Sequence, residues 1–183
     1  MDEKELILYK LIFLGARYVG KSSILDRFKN DSFYEDCQAT IGLNFKSKKI
    51  EINNQFITLL LYDTSGQEKY KSLLPMYLKD IDIYFLIYDI SNRNSFINLS
   101  EWINIITPYK NKNEFIVFLI GNKIDKEGKR EVTKEKGSNF AKEHNYIFQE
   151  ISAKTNEGFN KLFYIKLCEE MRKKFNIEEL EEE

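Results

Sequence analysis

The stretch ILYKLIFLGARYVGKSSILDRFK, residues 7–29, decides the fold. Its apolar run at 7–14 predicts a buried strand, residues 15–22 fit the pattern G-x-x-x-x-G-K-[ST], and a helix-like segment follows. In this order the glycines let the backbone turn its N–H groups inward around a phosphate, and the helix N-terminus adds a favourable dipole. Lys21 brings positive charge to the outer phosphates, and the Ser22 hydroxyl can ligate Mg²⁺. A tight glycine turn before a helix is the weaker alternative, so we predict a nucleotide site.

Short apolar runs recur along the chain, and each is rich in β-branched or aromatic residues and followed by a polar turn. They lie at 7–14, 56–62, 81–90, 114–120 and 146–151, with helix-like segments at 21–29, about 92–107, 133–145 and 156–175. This alternation predicts a mostly parallel sheet with helices on both faces. The stretch 43–52 alternates more, and we expect it to pair through an Asn53–Asn54 turn as one antiparallel edge strand. The predicted fold class is α/β, a three-layer P-loop NTPase fold with six strands.

Composition narrows the classes of function. We expect one domain over 1–176, followed by an acidic tail at 177–183, and a net charge of −1 gives no indication of a nucleic-acid partner. The two cysteines, Cys37 and Cys168, have no metal-ligand spacing, and His144 is the only histidine, so we expect neither a zinc site nor a histidine-dependent triad. Reduced thiols and the lack of a long apolar run favour a cytosolic protein.

The turn after the third predicted strand carries a carboxylate. Asp63 comes at a strand end and therefore faces the phosphate loop, where it can serve as the carboxylate on the Mg²⁺ side of the site. Gly66 can offer a backbone N–H to a γ-phosphate, and Gln67 can orient an attacking water. An aspartate that merely starts a turn is the alternative, and it weakens because the first motif predicts a carboxylate here.

The turns after the fifth and sixth strands favour guanine. Asp125, in GNKID, can accept hydrogen bonds from the ring N1–H and the 2-amino group, which adenine cannot donate from those positions. Asn122 can bond the loop and base, and the Lys123 stem can lie over the purine. In the later turn SAK (152–154), the Ala153 backbone N–H can bond the guanine O6.

These motifs carry a family resemblance. The set GARYVGKS, QATIGLNF (38–45), DTSGQE, GNKID and SAK resembles the small GTPases of the Ras superfamily, with matching order and spacing from about residue 7 to 175. IGLNF (41–45) and EKYKSLLPMYLKDIDIYFLIYDIS (68–91) are similar to the Rab branch, and SLLP together with QATIG is most like the Golgi-type Rabs.

The resemblance implies a switch that binds GTP or GDP with Mg²⁺ and hydrolyses GTP. Gln67 would be catalytic, Ser22 and Thr40 would ligate Mg²⁺, with Asp63 acting through water, and Phe33 would pack edge-on against the guanine. The implied nucleotide-binding set is Gly15, Arg17, Tyr18, Val19, Gly20, Lys21, Ser22, Ser23, Phe33, Thr40, Gly66, Asn122, Lys123, Asp125, Ser152, Ala153 and Lys154.

The resemblance also implies protein partners. Switch I (about 34–44) and switch II (63–79) would meet effectors, an exchange factor and a GTPase-activating protein. The implied effector-binding residues are Ile41, Phe45, Tyr62 and Tyr77. Rabs usually carry tryptophan at the place of Tyr62, and simple core packing is the alternative explanation for the three aromatic residues.

Several features depart from the family pattern. Arg17 and Tyr18 are bulky where such loops often carry glycine, so a nucleotide-holding scaffold with little hydrolysis is the alternative to a switch. Cys37 stands where tyrosine often closes over the phosphates; Tyr18 could supply that lid, and Cys37 is either a reactive thiol or, the better expectation, inert. An ATPase or nucleoside kinase is a third possibility, disfavoured by NKID with SAK.

The C-terminal sequence EELEEE contains no cysteine for prenylation. We expect a truncated chain, in which membrane contact would require a lipidated tail that is not present. With such a tail the expected location is the cytosolic face of endomembranes, Golgi or vesicles. A monomer is the expected state.

Overall fold

A six-stranded sheet forms the middle layer of the molecule. The computed structural model describes residues 7–35, 40–66, 74–109 and 115–177. The strands are β1 (Ile7–Leu14), β2 (Leu43–Ile52), β3 (Gln55–Thr64), β4 (Ile83–Asp89), β5 (Ile116–Asn122) and β6 (Ile147–Glu150). They are ordered β2-β3-β1-β4-β5-β6, and only the β2–β3 pair is antiparallel. The predicted fold class is therefore confirmed, including its antiparallel edge.

Helices cover both faces of this sheet. They are α1 (Lys21–Asn30), α2 (Pro75–Leu78), α3 (Arg93–Ile97), α4 (Leu99–Ile106), α5 (Lys134–His144) and α6 (Leu167–Phe175). Side chains of α1 and α6 pack into one apolar cluster, whereas those of α2, α3, α4 and α5 pack into a second. None of the helices in the described ranges is long and apolar enough to cross a membrane.

The strands read as continuous apolar runs because both of their faces are buried. Along β1, Leu11 and Phe13 belong to the first cluster, whereas Ile12 and Leu14 belong to the second. All four side chains are fully buried. This two-sided burial is typical of parallel strands flanked by helices.

The Asn53–Asn54 turn between β2 and β3 is also confirmed. Both asparagines have positive φ, 52° and 61°, as a two-residue type I′ hairpin requires. The helix predicted over 92–107 was wrong in detail, because it divides into α3 and α4. At Asn98 between them ψ is −4°, away from the helical value, and a 3-10 turn, Thr107–Tyr109, follows α4.

The last predicted helix, over 156–175, is not uniform either. It contains a π-helical segment, Lys161–Lys166, before α6. The apolar stripe predicted for this helix is nevertheless buried at its apolar members: Phe159, Leu162, Phe163 and Leu167 are each at most 2% exposed. The parallel strands all place their carboxyl ends at one edge of the sheet, and the residues predicted to bind nucleotide gather there.

Candidate nucleotide-binding site

The loop between β1 and α1 is shaped by its glycines. Gly20 has φ 95°, in the left-handed region, and caps α1, and a Cβ there would overlap the Asn122 amide nitrogen. Only glycine combines this backbone with so close an approach of the loop after β5. Gly15 lies at the start of the loop, where its carbonyl oxygen accepts a hydrogen bond from Lys21.

Lys21 lies buried beneath the phosphate loop. Its Nζ donates to the carbonyl oxygens of Gly15 at 3.0 Å and of Ala16 at 2.9 Å. Burial lowers the pKa of Lys21 to about 8, and the nearby charge of Asp63 opposes that shift. The ammonium group is therefore a desolvated positive charge that an anion above the loop would stabilise.

Three oxygen-bearing side chains meet beside this lysine. The Ser22 hydroxyl donates to Asp63 Oδ2 at 2.6 Å and lies 2.8 Å from the Thr40 hydroxyl, which itself is 3.2 Å from Asp63 Oδ2. Burial raises the pKa of Asp63, while hydrogen bonds from Ser22 and Thr40 and the charge of Lys21 oppose the rise. Asp63 Oδ1 is buried with no hydrogen-bond partner among the described residues.

This oxygen cluster fits a magnesium ion. Mg²⁺ prefers hard oxygen ligands and is bound through one or two protein groups plus water and phosphate. Two hydroxyls and a carboxylate with an unsatisfied oxygen supply that chemistry. The residues are those predicted for the metal: Ser22, Thr40 and Asp63.

The start of switch II lies directly against the phosphate loop. A Cβ at Gly66, whose φ is 65°, would come within 2.7 Å of the Gly15 carbonyl oxygen and would also overlap Lys21 Nζ. Gly66 therefore lies where its backbone can face a terminal phosphate. The neighbouring Gln67 and the thiol of Cys37 fall outside the described residues.

Asn122 joins the three loops that follow β1, β5 and β6. Its side chain is buried; Nδ2 donates to the Val19 carbonyl at 2.8 Å and Oδ1 accepts from the Ala153 N–H at 3.2 Å. The Ala153 N–H is the group predicted to bond guanine O6, and in this structure it donates to the Asn122 side chain instead. Ser152 Oγ donates to Asp125 Oδ1 at 2.6 Å and so orients the carboxylate predicted to bind the base.

The predicted residues surround one cavity of about 430 Å³. Thirteen of them line it: Arg17, Tyr18, Gly20, Lys21, Ser22, Ser23, Phe33, Thr40, Asn122, Lys123, Asp125, Ala153 and Lys154. Gly15, Val19, Gly66, Ser152 and Asp63 stand behind that lining and hold it through the contacts above. At the mouth, the Arg17 guanidinium stacks 4.5 Å from the centre of the Tyr18 ring, and Tyr18 is 71% exposed.

Comparison with known proteins agrees with this geometry. The Ras family model matches residues 10–173. The chain is 40% identical over 158 residues to the Ras-related protein Rab-18-B of Danio rerio, an alignment that covers 86% of this chain and 77% of that relative.

The chain belongs to the Ras superfamily as a Rab-type small GTPase. The predicted family resemblance is thereby confirmed, and members of this family bind GTP or GDP, generally with Mg²⁺. The assignment to the Golgi-type Rabs stays a prediction.

The residues predicted to meet effectors of this Rab-type GTPase lie mostly at the surface. Ile41, Phe45 and Tyr77 are 76%, 73% and 41% exposed, whereas Tyr62 is half-buried against the second apolar cluster. Phe45 lies directly opposite Tyr62 in the β2–β3 pair. Core packing therefore explains Tyr62 in part but does not explain Phe45.

The structure of this GTPase adds residues that the sequence analysis missed. Asp89, at the end of β4, lies 2.7 Å from Lys123 Nζ. Glu35 pairs with Lys154 at 2.7 Å across the cavity mouth. Further lining residues are Tyr34, Glu35, Thr64, Ser65 and Lys126. The sequence could have indicated Asp89, because it is the polar residue at the end of a buried strand. Nothing in the sequence indicated Glu35.

Proposed function

We propose that this Rab-type GTPase hydrolyses GTP and acts as a switch that recruits effectors in vesicle trafficking. The observation that carries the proposal is the position of Thr40. It comes from the segment between α1 and β2, yet its hydroxyl reaches both Ser22 of α1 and Asp63 of β3. A ligand bound at these oxygens would therefore tie switch I to the phosphate loop.

The phosphate end is held by charge and by the backbone. The Lys21 ammonium would neutralise the outer phosphates, and the Gly66 N–H would bond the γ-phosphate. Ser22 and Thr40 would hold Mg²⁺, with Asp63 acting through water, and the ion would supply positive charge that neutralises the phosphates. Gln67 would orient the attacking water, while these groups stabilise the charge that spreads over the transferred phosphoryl.

Guanine is the base that the other end of the cavity selects. Asp125 would accept hydrogen bonds from guanine N1–H and its 2-amino group, and Ser152 fixes the orientation of that carboxylate. Adenine lacks both donors at these positions, so it would leave the carboxylate unsatisfied. The Lys123 stem would lie over the purine, and Phe33, which lines the cavity, would pack against its edge.

We propose that the protein partners bind at the surface formed by the two switches. We place effector contacts at Ile41, Phe45, Tyr62 and Tyr77, and the exchange factor and GTPase-activating protein on switches I and II. The exposed aromatic and aliphatic side chains there supply the apolar area that such contacts use. We propose a monomer that, if it carries a lipidated tail, works on the cytosolic face of endomembranes.

A GTP-holding scaffold is the second candidate function. It is favoured by Arg17 and Tyr18, which stack on each other at the cavity mouth. Bulk at this place would crowd the water that Gln67 must hold, and it would also obstruct the arginine that an activating protein inserts. Because the cradle is made of backbone groups, the same bulk leaves nucleotide binding intact.

Single-turnover hydrolysis of bound GTP distinguishes the two functions. The purified protein, Gln67→Leu and Arg17→Gly are loaded with GTP and Mg²⁺, and phosphate release is followed. For the switch we expect a rate on the order of 10⁻⁴ s⁻¹, the intrinsic scale of related GTPases, and its loss in Gln67→Leu. Stable binding without turnover in the unmodified protein, with turnover appearing in Arg17→Gly, would instead establish the scaffold.

A further inference from the structure

Asp89 has no role in the site as described so far. It ends β4, where it lies opposite Asn122 of β5 in the parallel pair. Its side chain is only 8% exposed. A carboxylate this deeply buried requires partners that stabilise its charge.

The two carboxylate oxygens of Asp89 have separate partners. Oδ1 accepts from the Ser91 N–H at 2.9 Å and from the Ser91 hydroxyl at 2.7 Å. Oδ2 lies 2.7 Å from Lys123 Nζ, and that same ammonium donates to the Tyr18 carbonyl oxygen at 2.6 Å. Asp89 therefore holds the Lys123 ammonium in place, and this ammonium in turn holds the Tyr18 carbonyl of the phosphate loop.

Tyr18 is the residue whose backbone needs such a restraint. Its φ is 66°, in the left-handed region that is unfavourable for a residue with a Cβ. The residue is 71% exposed, so burial of the side chain does little to hold this conformation. The hydrogen bond from Lys123 to its carbonyl oxygen holds the peptide group itself.

We propose that Asp89 is a positioning residue: through Lys123 it holds Tyr18 in the left-handed conformation of the phosphate loop and thereby slows the release of guanine nucleotide. The inference rests on the proposed function because it assumes that guanine nucleotide occupies the cavity. Its specific claim is that the effect of Asp89 on nucleotide release depends on which residue occupies position 18. Glycine adopts positive φ without penalty, so a glycine there would not need the restraint.

A double-mutant cycle tests this dependence. Dissociation of a fluorescent GDP is measured for the unmodified protein, Asp89→Asn, Tyr18→Gly and the double variant. Asparagine keeps the shape and can still accept from Ser91, but it loses the charge that holds Lys123. We expect Asp89→Asn to accelerate GDP release about tenfold with Tyr18 present, and less than about twofold in the Tyr18→Gly background.

Two further variants separate positioning from loss of structure. Ser91→Ala removes a hydrogen bond to Asp89 without touching Lys123, and it should leave the GDP dissociation rate unchanged. Lys123→Met keeps the aliphatic stem but removes the ammonium, and its effect should likewise shrink in the Tyr18→Gly background. This second cycle applies if Asp89→Asn does not fold.

Other outcomes overturn the inference. Equal acceleration in both backgrounds, or none in either, would show that Asp89 does not act through Tyr18. If the unmodified protein bound no GDP, the proposed function would fail, and the coupling would be read from urea midpoints of the four proteins. In that case Asp89→Asn must lower the urea midpoint less in the Tyr18→Gly background than with Tyr18 present. If it does not, the inference fails too.

Discussion

At the scale of single residues, the site places opposite charges where each alone would be unstable. Burial disfavours the charged form of both Lys21 and Asp63, lowering the pKa of the lysine and raising that of the aspartate. Their mutual attraction offsets part of both shifts. A nucleotide with its cation adds an opposite charge beside each partner, so binding and the ionisation of this pair reinforce one another.

Asp89 makes a pH-dependent contribution to stability. Burial alone would raise its pKa, but hydrogen bonds from Lys123 and Ser91 outweigh burial, so its pKa lies below the usual value. The unfolded chain therefore binds more protons near pH 4, and stability falls as pH falls through that window. We expect the gap in unfolding free energy between the protein and Asp89→Asn to be constant from about pH 7 to 5 and to shrink below about pH 4.

Urea unfolding at a series of pH values measures that gap. Ser91→Ala is the matched control, because it removes one of the hydrogen bonds but leaves the carboxylate beside Lys123. As pH falls, the difference in unfolding free energy between the unmodified protein and Ser91→Ala should shrink less than the corresponding difference for Asp89→Asn. A gap for Asp89→Asn that stays unchanged down to about pH 3 would contradict the lowered pKa.

Single residues also show what the sequence could and could not predict. Asp89 was predictable, because the rule that located Asp63, Asn122 and Asp125 at strand ends applies equally to β4. The left-handed backbone of Tyr18 was not, since tyrosine carries no preference for positive φ. The packing of neighbouring loops, and not the residue type, sets that conformation.

At the scale of elements, an ion pair connects switch I to the loop after β6. Glu35 and Lys154 pair at 2.7 Å, and the hydrogen bond between them lowers the pKa of Glu35 and raises that of Lys154. Both residues line the cavity, so the pair spans its mouth. Because both side chains are exposed, water and salt weaken their attraction.

We expect this pair to slow nucleotide release modestly. Glu35→Gln or Lys154→Gln should accelerate GDP dissociation about two- to threefold at low salt, and the difference should vanish near about 1 M salt. The charge-swapped protein, Glu35→Lys with Lys154→Glu, should release GDP at close to the original rate. Lys173→Gln, which breaks a distant exposed pair with Glu170, is the control. Failure of the swap to restore the rate would assign the effect to another contact of either residue.

Strands were predicted better than helices for a physical reason. A strand buried on both faces is a short apolar run, and all six predicted strands match observed ones within about two residues at each end. Helix continuity depends on individual hydrogen bonds, which an apolar stripe does not reveal. The backbone pattern changes at Asn98 and in the π segment Lys161–Lys166, and there Leu99, Leu162 and Phe163 are buried whereas Ile97 and Ile165 are about half exposed.

At the scale of the whole molecule, the sheet separates two apolar clusters, and the aromatic residues divide between core and surface. Phe85 of β4 is fully buried, with its ring centre 4.8 Å from that of Phe13 and 5.1 Å from that of Phe118. Phe45 of β2 is 73% exposed, although it lies opposite Tyr62. Removing the ring is therefore expected to cost much more stability at Phe85 than at Phe45.

Alanine substitution at these two positions tests that division. Phe85→Ala removes a ring from a stacked set that cannot close the gap, so unfolding free energy should fall by about 3–5 kcal/mol. Phe45→Ala loses only a cross-strand contact, so the loss should stay below about 1 kcal/mol, with GDP dissociation unchanged. Urea unfolding and fluorescent-GDP release measure both quantities. A loss at Phe45 comparable to that at Phe85 would contradict the division, because it would show that this exposed ring stabilises the fold as much as a buried one does.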